Sequence, residues 1–405
     1  MLAPERRTRA DILAAVAIVV VLVIAAVVVW AGSDARTTIS GPAAHAATAP
    51  PTATALPQAL RELWHEPDGA STRALASGGV VITGDGGTVT GRDPRTGQQI
   101  WKYERDLPLC GVESQFGTVI ATYRDQRGCS QTTLLSADTG QRRTARSSYM
   151  DSQLKLSVDG TYTLAIGPQR LEMWRSDLVR TLEYGKVDAP INANPHARTG
   201  CRLLSGDSSS SRLAVLERCP DDPAVRLTVL NPSPKEYNAP EEYGSHVLTD
   251  PGGTSDDAKV IAVSDNRVAL YLPGTGTHPP QFTTYDASAN SVATHRLTAG
   301  LTADTTTTRI GSAYLVFTGN SLIALNATTL DPIWTAADAQ GSPTMMAGHL
   351  LLPVPDGIAV IDPTTGAETS RIPVQRSGYR GEPVSLTTVG STVLERRGNA
   401  VYALG

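Results

Sequence analysis

The stretch Gly87–Trp101, GTVTGRDPRTGQQIW, reads as strand, tight turn, strand. Val89 opens the first strand, Asp93-Pro94-Arg95-Thr96-Gly97 makes the turn, and Gln98 to Trp101 opens the second. Pro94 presets φ, Gly97 can take a positive φ without a Cβ clash, and the Asp93 carboxylate can accept from the turn backbone. Alone this is a hairpin. Its weight comes from recurrence. Asp362-Pro363-Thr364-Thr365-Gly366 repeats the turn, and Ser136-Ala137-Asp138-Thr139-Gly140 keeps its Thr-Gly end. Asp286-Ala287-Ser288-Ala289-Asn290 keeps the aspartate and is expected to put Asn290 in the positive-φ position. Asn326-Ala327-Thr328-Thr329-Leu330 keeps the threonine and loses the glycine, and Asn231-Pro232-Ser233-Pro234 is a weaker copy.

Apolar strands precede several of these turns, as at Ile323–Leu325 and Ala359–Ile361, and Gly84-Asp85-Gly86 or Pro355-Asp356-Gly357 links each to an earlier strand. Thr96 and Thr139 lie 43 residues apart, Thr329 and Thr365 36. Four short strands at that period are the signature of a β-propeller. The units fall at 72–106, 107–150, 151–190, 191–247, 248–300, 301–341 and 342–382, with a last, short one at 383–405. That last unit holds only three strands, ending in Ala400-Val401-Tyr402-Ala403-Leu404. Leu60-Arg61-Glu62-Leu63-Trp64 has the pattern of a fourth strand. Leu63 and Trp64 are therefore expected to close the last blade against Tyr402, which makes an all-β, eight-bladed propeller, with seven blades as the alternative. Trp64, Trp101 and Trp334 hold matching positions of the repeat and are read as packing between blades.

Composition agrees. Of 405 residues, 18% are charged and 40% hydrophobic, with 36 Gly and 27 Pro, which favours short strands joined by frequent turns. The formal charge of −4 speaks against a nucleic-acid surface. Arg142-Arg143 and Arg396-Arg397 are read as solvated edge positions.

Residues 12–31 form an uncharged apolar run, preceded by Arg6, Arg7 and Arg9. Its length suits a membrane helix, and the basic flank puts residues 1–11 in the cytoplasm and the rest outside. A single-pass, uncleaved signal anchor is the preferred reading over a cleaved signal peptide. Residues 32–57, rich in Ala, Thr and Pro, are expected to be a disordered linker holding the propeller, 58–405, roughly 25–30 Å from the bilayer.

The four cysteines fall at equivalent places of two units. Cys110 and Cys201 open first strands, and Cys129 and Cys219 follow second strands 19 and 18 residues later. In an extracytoplasmic domain this predicts Cys110–Cys129 and Cys201–Cys219 disulfides, with four free buried thiols as the alternative. No metal-ligand spacing is present. Ser152-Gln153-Leu154-Lys155 and Ser264-Asp265-Asn266 match two motifs of penicillin-recognising enzymes, but their strand-and-turn context and the missing K-T-G oppose that chemistry. Asp250, Asp256 and Asp257 are read as a solvated loop, not a calcium site.

The unit strand–D-x-x-T-G–strand–W resembles the repeat of pyrroloquinoline-quinone-type propellers. Gly87–Trp101, Leu322–Trp334 and Ile358–Ser370 carry the likeness best. That family includes quinoprotein alcohol dehydrogenases and non-catalytic envelope proteins, and the anchored layout resembles actinobacterial members. The dehydrogenases stack their cofactor on a ring formed by two adjacent cysteines. This chain has no adjacent pair and no motif on which to place their calcium ligands. The resemblance thus implies a non-catalytic, monomeric, membrane-tethered propeller without cofactor, acting as an interaction or assembly scaffold for an envelope protein. The alternative is a small-ligand-binding or quinone-dependent oxidoreductase-like propeller.

Overall fold

The computed structural model describes residues 8–33, 36–187 and 198–405. The boundary expected between the third and fourth units, at 190/191, and residues 1–7 of the tail lie outside the described residues. Eight antiparallel sheets follow one another along the chain, each the next blade of a ring. Strands are named a to d from the axis outward. Blade 1 spans residues 75–104, blade 2 109–147, blade 3 155–185, blade 4 202–247, blade 5 259–296, blade 6 306–336 and blade 7 344–373. Blade 8 takes strands a to c from 384–404 and strand d from Glu62–Pro67, which pairs antiparallel with Ala400–Leu404. Eight blades with an N-terminal closing strand are therefore correct. In blade 8, Gly341–Ser342 adds a fifth, parallel strand beside Val384 and Ser385. A side chain at 341 would meet the Val384 carbonyl at 1.9 Å, so glycine is required there.

Antiparallel a–d order puts all a–b and c–d turns on one side of the ring, here the turn face. The b–c turns and the connections between blades lie on the other, the loop face. The middle strands read as apolar runs because both their faces are covered: Val80–Asp85, Thr118–Asp125 and Leu213–Arg218 are buried nearly throughout. The core accordingly consists of clusters shared between neighbouring blades, such as the packing of Leu75, Ile82, Trp101 and Tyr123 across blades 1 and 2.

Among the described residues, one apolar helix, Arg9–Ala31, is long enough to cross a membrane. It begins three residues before the expected start because Thr8 and Asp11 form a capping box.

The disordered linker expected over 32–57 is not what the structure shows from Ile39 onward. Ile39–Gly41 pairs with Lys102–Glu104 as a fifth strand on the rim of blade 1. Ala43 and Ala47 then donate to the carbonyls of Thr139 and Asp138, in the c–d turn of blade 2. The chain passes Gly79 in blade 1 at Ala49 and Gly390 in blade 8 at Pro50 and Pro51. Ala53 and Leu56 join the core cluster of blades 7 and 8. Small and proline residues cannot build a core of their own, but they fit closely over glycine turns, which composition alone does not reveal. The result is a strap across the turn face, spanning the point where the ring closes.

Candidate functional site: the seams and the loop face

Every c–d pair carries a β-bulge at the same point of strand d. The residue just past it points to the next blade. In blades 8, 1 and 6 that residue is tryptophan. Trp64 Nε1 donates to Pro94 O at 3.1 Å, Trp101 Nε1 to Ala137 O at 2.8 Å, and Trp334 Nε1 to Pro363 O at 3.1 Å. Each ring lies on the glycine of the neighbouring turn: Gly97, Gly140 and Gly366, at φ +71°, +69° and +74°. The aspartates of two of these turns hold them open from within. Asp93 Oδ1 accepts from the Arg95 and Thr96 amides at 3.0 and 2.8 Å, and Asp362 Oδ1 from those of Thr364 and Thr365 at 2.7 and 3.2 Å. The recurring turn and tryptophan are thus one docking joint between blades. In the degenerate copies Ala289 and Leu330, not Asn290, take the positive φ. The expectation for Asn290 fails because that amide instead donates to Asp286 Oδ1, one residue beyond the bend.

At the closing strand, Leu63 is 39% exposed and touches Gly405 rather than entering the core. Tyr402 is stacked between His65, centroids 5.2 Å apart, and the Arg397 guanidinium, 3.4 Å from its ring centre. The reading of Arg396-Arg397 as solvated is corrected here: Arg397 is buried and pairs with Glu395, and Arg396 faces the buried Asp68.

Blades 2 to 4 are joined differently. Glu172, wholly buried in strand c of blade 3, accepts from Arg170 at 2.7 Å, Arg180 at 2.9 Å, Trp174 at 2.8 Å, and Arg146 and Ser148 of blade 2 at 3.2 and 2.6 Å. Burial pushes its pKa up, but the three guanidiniums outweigh this and hold it at about 2. At the next seam, buried Glu217 accepts from Tyr184 of blade 3 at 2.9 Å, Thr228 at 2.6 Å and Arg198 at 3.1 Å. With a single guanidinium beside it, burial wins and its pKa is raised. None of these residues belongs to the repeat motif. Their one sequence signal is a lone Glu inside an apolar strand, as in Leu171-Glu172-Met173 and Leu216-Glu217.

The disulfides are as expected, Cys110–Cys129 and Cys201–Cys219, with Cα atoms 5.9 and 4.1 Å apart. Both lie on the loop face, in blades 2 and 4, where each ties the start of strand a to the b–c turn. Cys201 and Cys219 lie close to Glu217, but their sulfurs are bonded to each other, so that trio is not a metal site. Asp250 accepts from the Tyr285 hydroxyl, and Asp256 pairs with Arg202 and Arg218. Lys155 opens a strand, and the Ser264 hydroxyl donates to Thr328 O, so neither is arranged as a nucleophile or base.

No protein family matches the chain, and no curated protein matches it. Among solved structures it is similar to the N-terminal domain of Nup159, at 9% identity, covering 89% of this chain and 99% of that one, TM-score 0.46. It is also similar to the quinohemoprotein alcohol dehydrogenase ADHIIG from Pseudomonas putida HK5, at 12% identity, 88% and 78% coverage and TM-score 0.49. A third is dihydro-heme d1 dehydrogenase NirN, at 16% identity, 89% and 73% coverage and TM-score 0.49. These proteins differ in function, and at such identities no activity passes to this chain.

Proposed function

We propose that this is a membrane-tethered, extracytoplasmic propeller that presents its loop face to an envelope protein as an interaction or assembly scaffold. The strap is the observation that carries the reading. Only residues 32–38 separate the helix from the rim of blade 1, a reach of about 25 Å at full extension. Ile39 pairs with Glu104 at the loop-face end of that rim strand, so the tether meets the ring there; the strap then covers part of the turn face, while the disulfide-braced loop face is free of it. Disulfides in both braced blades fit an oxidising compartment.

Photo-crosslinking residues placed in cells at Asp356 and Arg380, exposed on the loop face, test this against Arg95 and Thr364, exposed on the turn face. The same protein adduct from both loop-face positions, absent from the turn-face pair, is expected. Adducts confined to Arg95 and Thr364 would refute the assignment.

A further inference from the structure

The loop face carries a cleft of ≈ 220 Å³ between the rims of blades 2 and 3. Its walls include four arginines, Arg127, Arg146, Arg170 and Arg180, with Ser147 and Tyr149 at the edge. We propose that this cleft binds a small ligand bearing a carboxylate or phosphate. The inference goes beyond the scaffold reading and does not depend on it.

Three observations support it. First, the cations are in surplus. Among the described residues, the four guanidiniums meet the carboxylates of Asp125, Glu172 and Glu183. Four cations thus face three carboxylates, and Glu172 already accepts five hydrogen bonds, three of them from these arginines. Second, Arg170 is only 4% exposed, and its Nε has no hydrogen-bond partner among the described residues. A buried arginine in the wall helps to keep the cleft positive, and an oxyanion is the ligand that matches such a wall. Third, the outer wall is set before any ligand arrives. Arg127 Nη2 donates to Asp125 at 3.1 Å and to Ser147 Oγ at 2.8 Å, its amide donates to Asp125 at 2.7 Å, and its carbonyl accepts from Met150 at 3.0 Å. Two residues on, Cys129 ties this turn to Cys110. The donors are therefore fixed at little further entropic cost on binding.

Size and rim narrow the ligand class. The volume equals roughly seven waters at ~30 Å³ each, room for one oxyanion and a short carbon body. Tyr149, 44% exposed with the Arg127 guanidinium 5.8 Å from its ring centre, offers an aromatic face to that body. A sugar acid or sugar phosphate meets both requirements.

The test is calorimetric titration of the full chain in detergent with inorganic phosphate, D-glucuronate and neutral glucose. Saturable binding of phosphate or glucuronate at about millimolar Kd or tighter, weakening with salt and absent for glucose, is expected. Glucuronate binding alone would assign a sugar acid, phosphate alone a phosphoryl group. Arg127→Ala removes an exposed donor without touching Glu172 and should weaken binding roughly tenfold. Arg127→Glu should abolish it, while both variants melt within a few degrees of the parent. Two results would overturn the proposal: no saturable heat with either anion up to 10-fold above about millimolar, or equal affinity in a folded Arg127→Glu protein.

Discussion

Five of the ring's eight seams are of two kinds. Around the closure, from blade 8 through 1 to 2 and again from 6 to 7, a tryptophan lies on a glycine turn and donates one hydrogen bond. From blade 2 to 4 the joint is a buried carboxylate gripped by arginines, flanked by disulfides. A tryptophan joint is modular: its energy comes from buried ring area, and its geometry recurs whichever blade supplies it. A carboxylate joint is specific, because each charge is stable only while its partners stay in place. The first kind suits a repeated scaffold, and the second fixes polar side chains at one chosen place. That place adjoins the arginine cleft.

Breaking one joint of the second kind should give an effect as large as any in the ring. Glu172→Gln strands three arginines and is expected to cost about 3–5 kcal/mol, seen as a lower midpoint in denaturant melts. Glu217→Gln should cost much less, because that carboxyl is already pushed toward its neutral form and a neutral amide can stand in for it. The two also differ in acid. The Glu172 pKa is depressed in the folded state, so its contribution is complete above about 4.5 and is lost as pH falls toward about 2. Equal losses in both variants would show that the arginines, not the carboxylate, hold these seams.

Among the tryptophan joints the expected costs scale with burial. Trp101 is wholly buried, so Trp101→Ala should cost about 3–5 kcal/mol. Trp334 is only partly covered, and its truncation should cost about 1–2 kcal/mol. A Trp334 loss as large as that of Trp101 would mean that the hydrogen bond to the turn carbonyl, not ring burial, sets the strength of the joint.

These seams also explain what is legible in the sequence. The tryptophan joints are written in short range. Asp93, Gly97 and Trp101 lie within nine residues, Asp362 and Gly366 repeat the turn, and Trp334 follows Asn326 by the same eight residues that separate Trp101 from Asp93, so periodicity exposes blade number and closure. Both disulfides are legible for the same reason, since equivalent cysteines recur in two blades. The carboxylate joints are not periodic. Arg146 and Glu172 come from different blades 26 residues apart, and nothing local marks them as partners. Arg396-Arg397 misleads because adjacent arginines in a strand look like an exposed edge, whereas alternation sends one to Asp68 and the other to Glu395. The strap escapes sequence reading because Ala, Thr and Pro can form a linker or cover a surface, and only the glycine turns beneath decide which.

A carboxylate near the axis titrates in the opposite direction to Glu172. Asp207, half-buried on strand a of blade 4, has its pKa raised to about 6. Burial is the main cause and the Asp159 charge adds to it, against the Ser208 amide and Lys155. Glu172 has a surplus of cations, whereas Asp207 has one lysine offset by an acid, so their effects on stability run in opposite directions. The folded state binds the extra proton on Asp207, so stability is greatest below about pH 4 and declines as pH rises through about 6. Asp207→Asn should therefore stabilise the domain at pH 8 by roughly 1–3 kcal/mol and change little at about pH 4. Thermal melts at the two pH values read this directly. A variant less stable than the parent at the higher pH would mean that the charged form of Asp207 is needed beside Lys155, and would place it with the paired carboxylates of the seams.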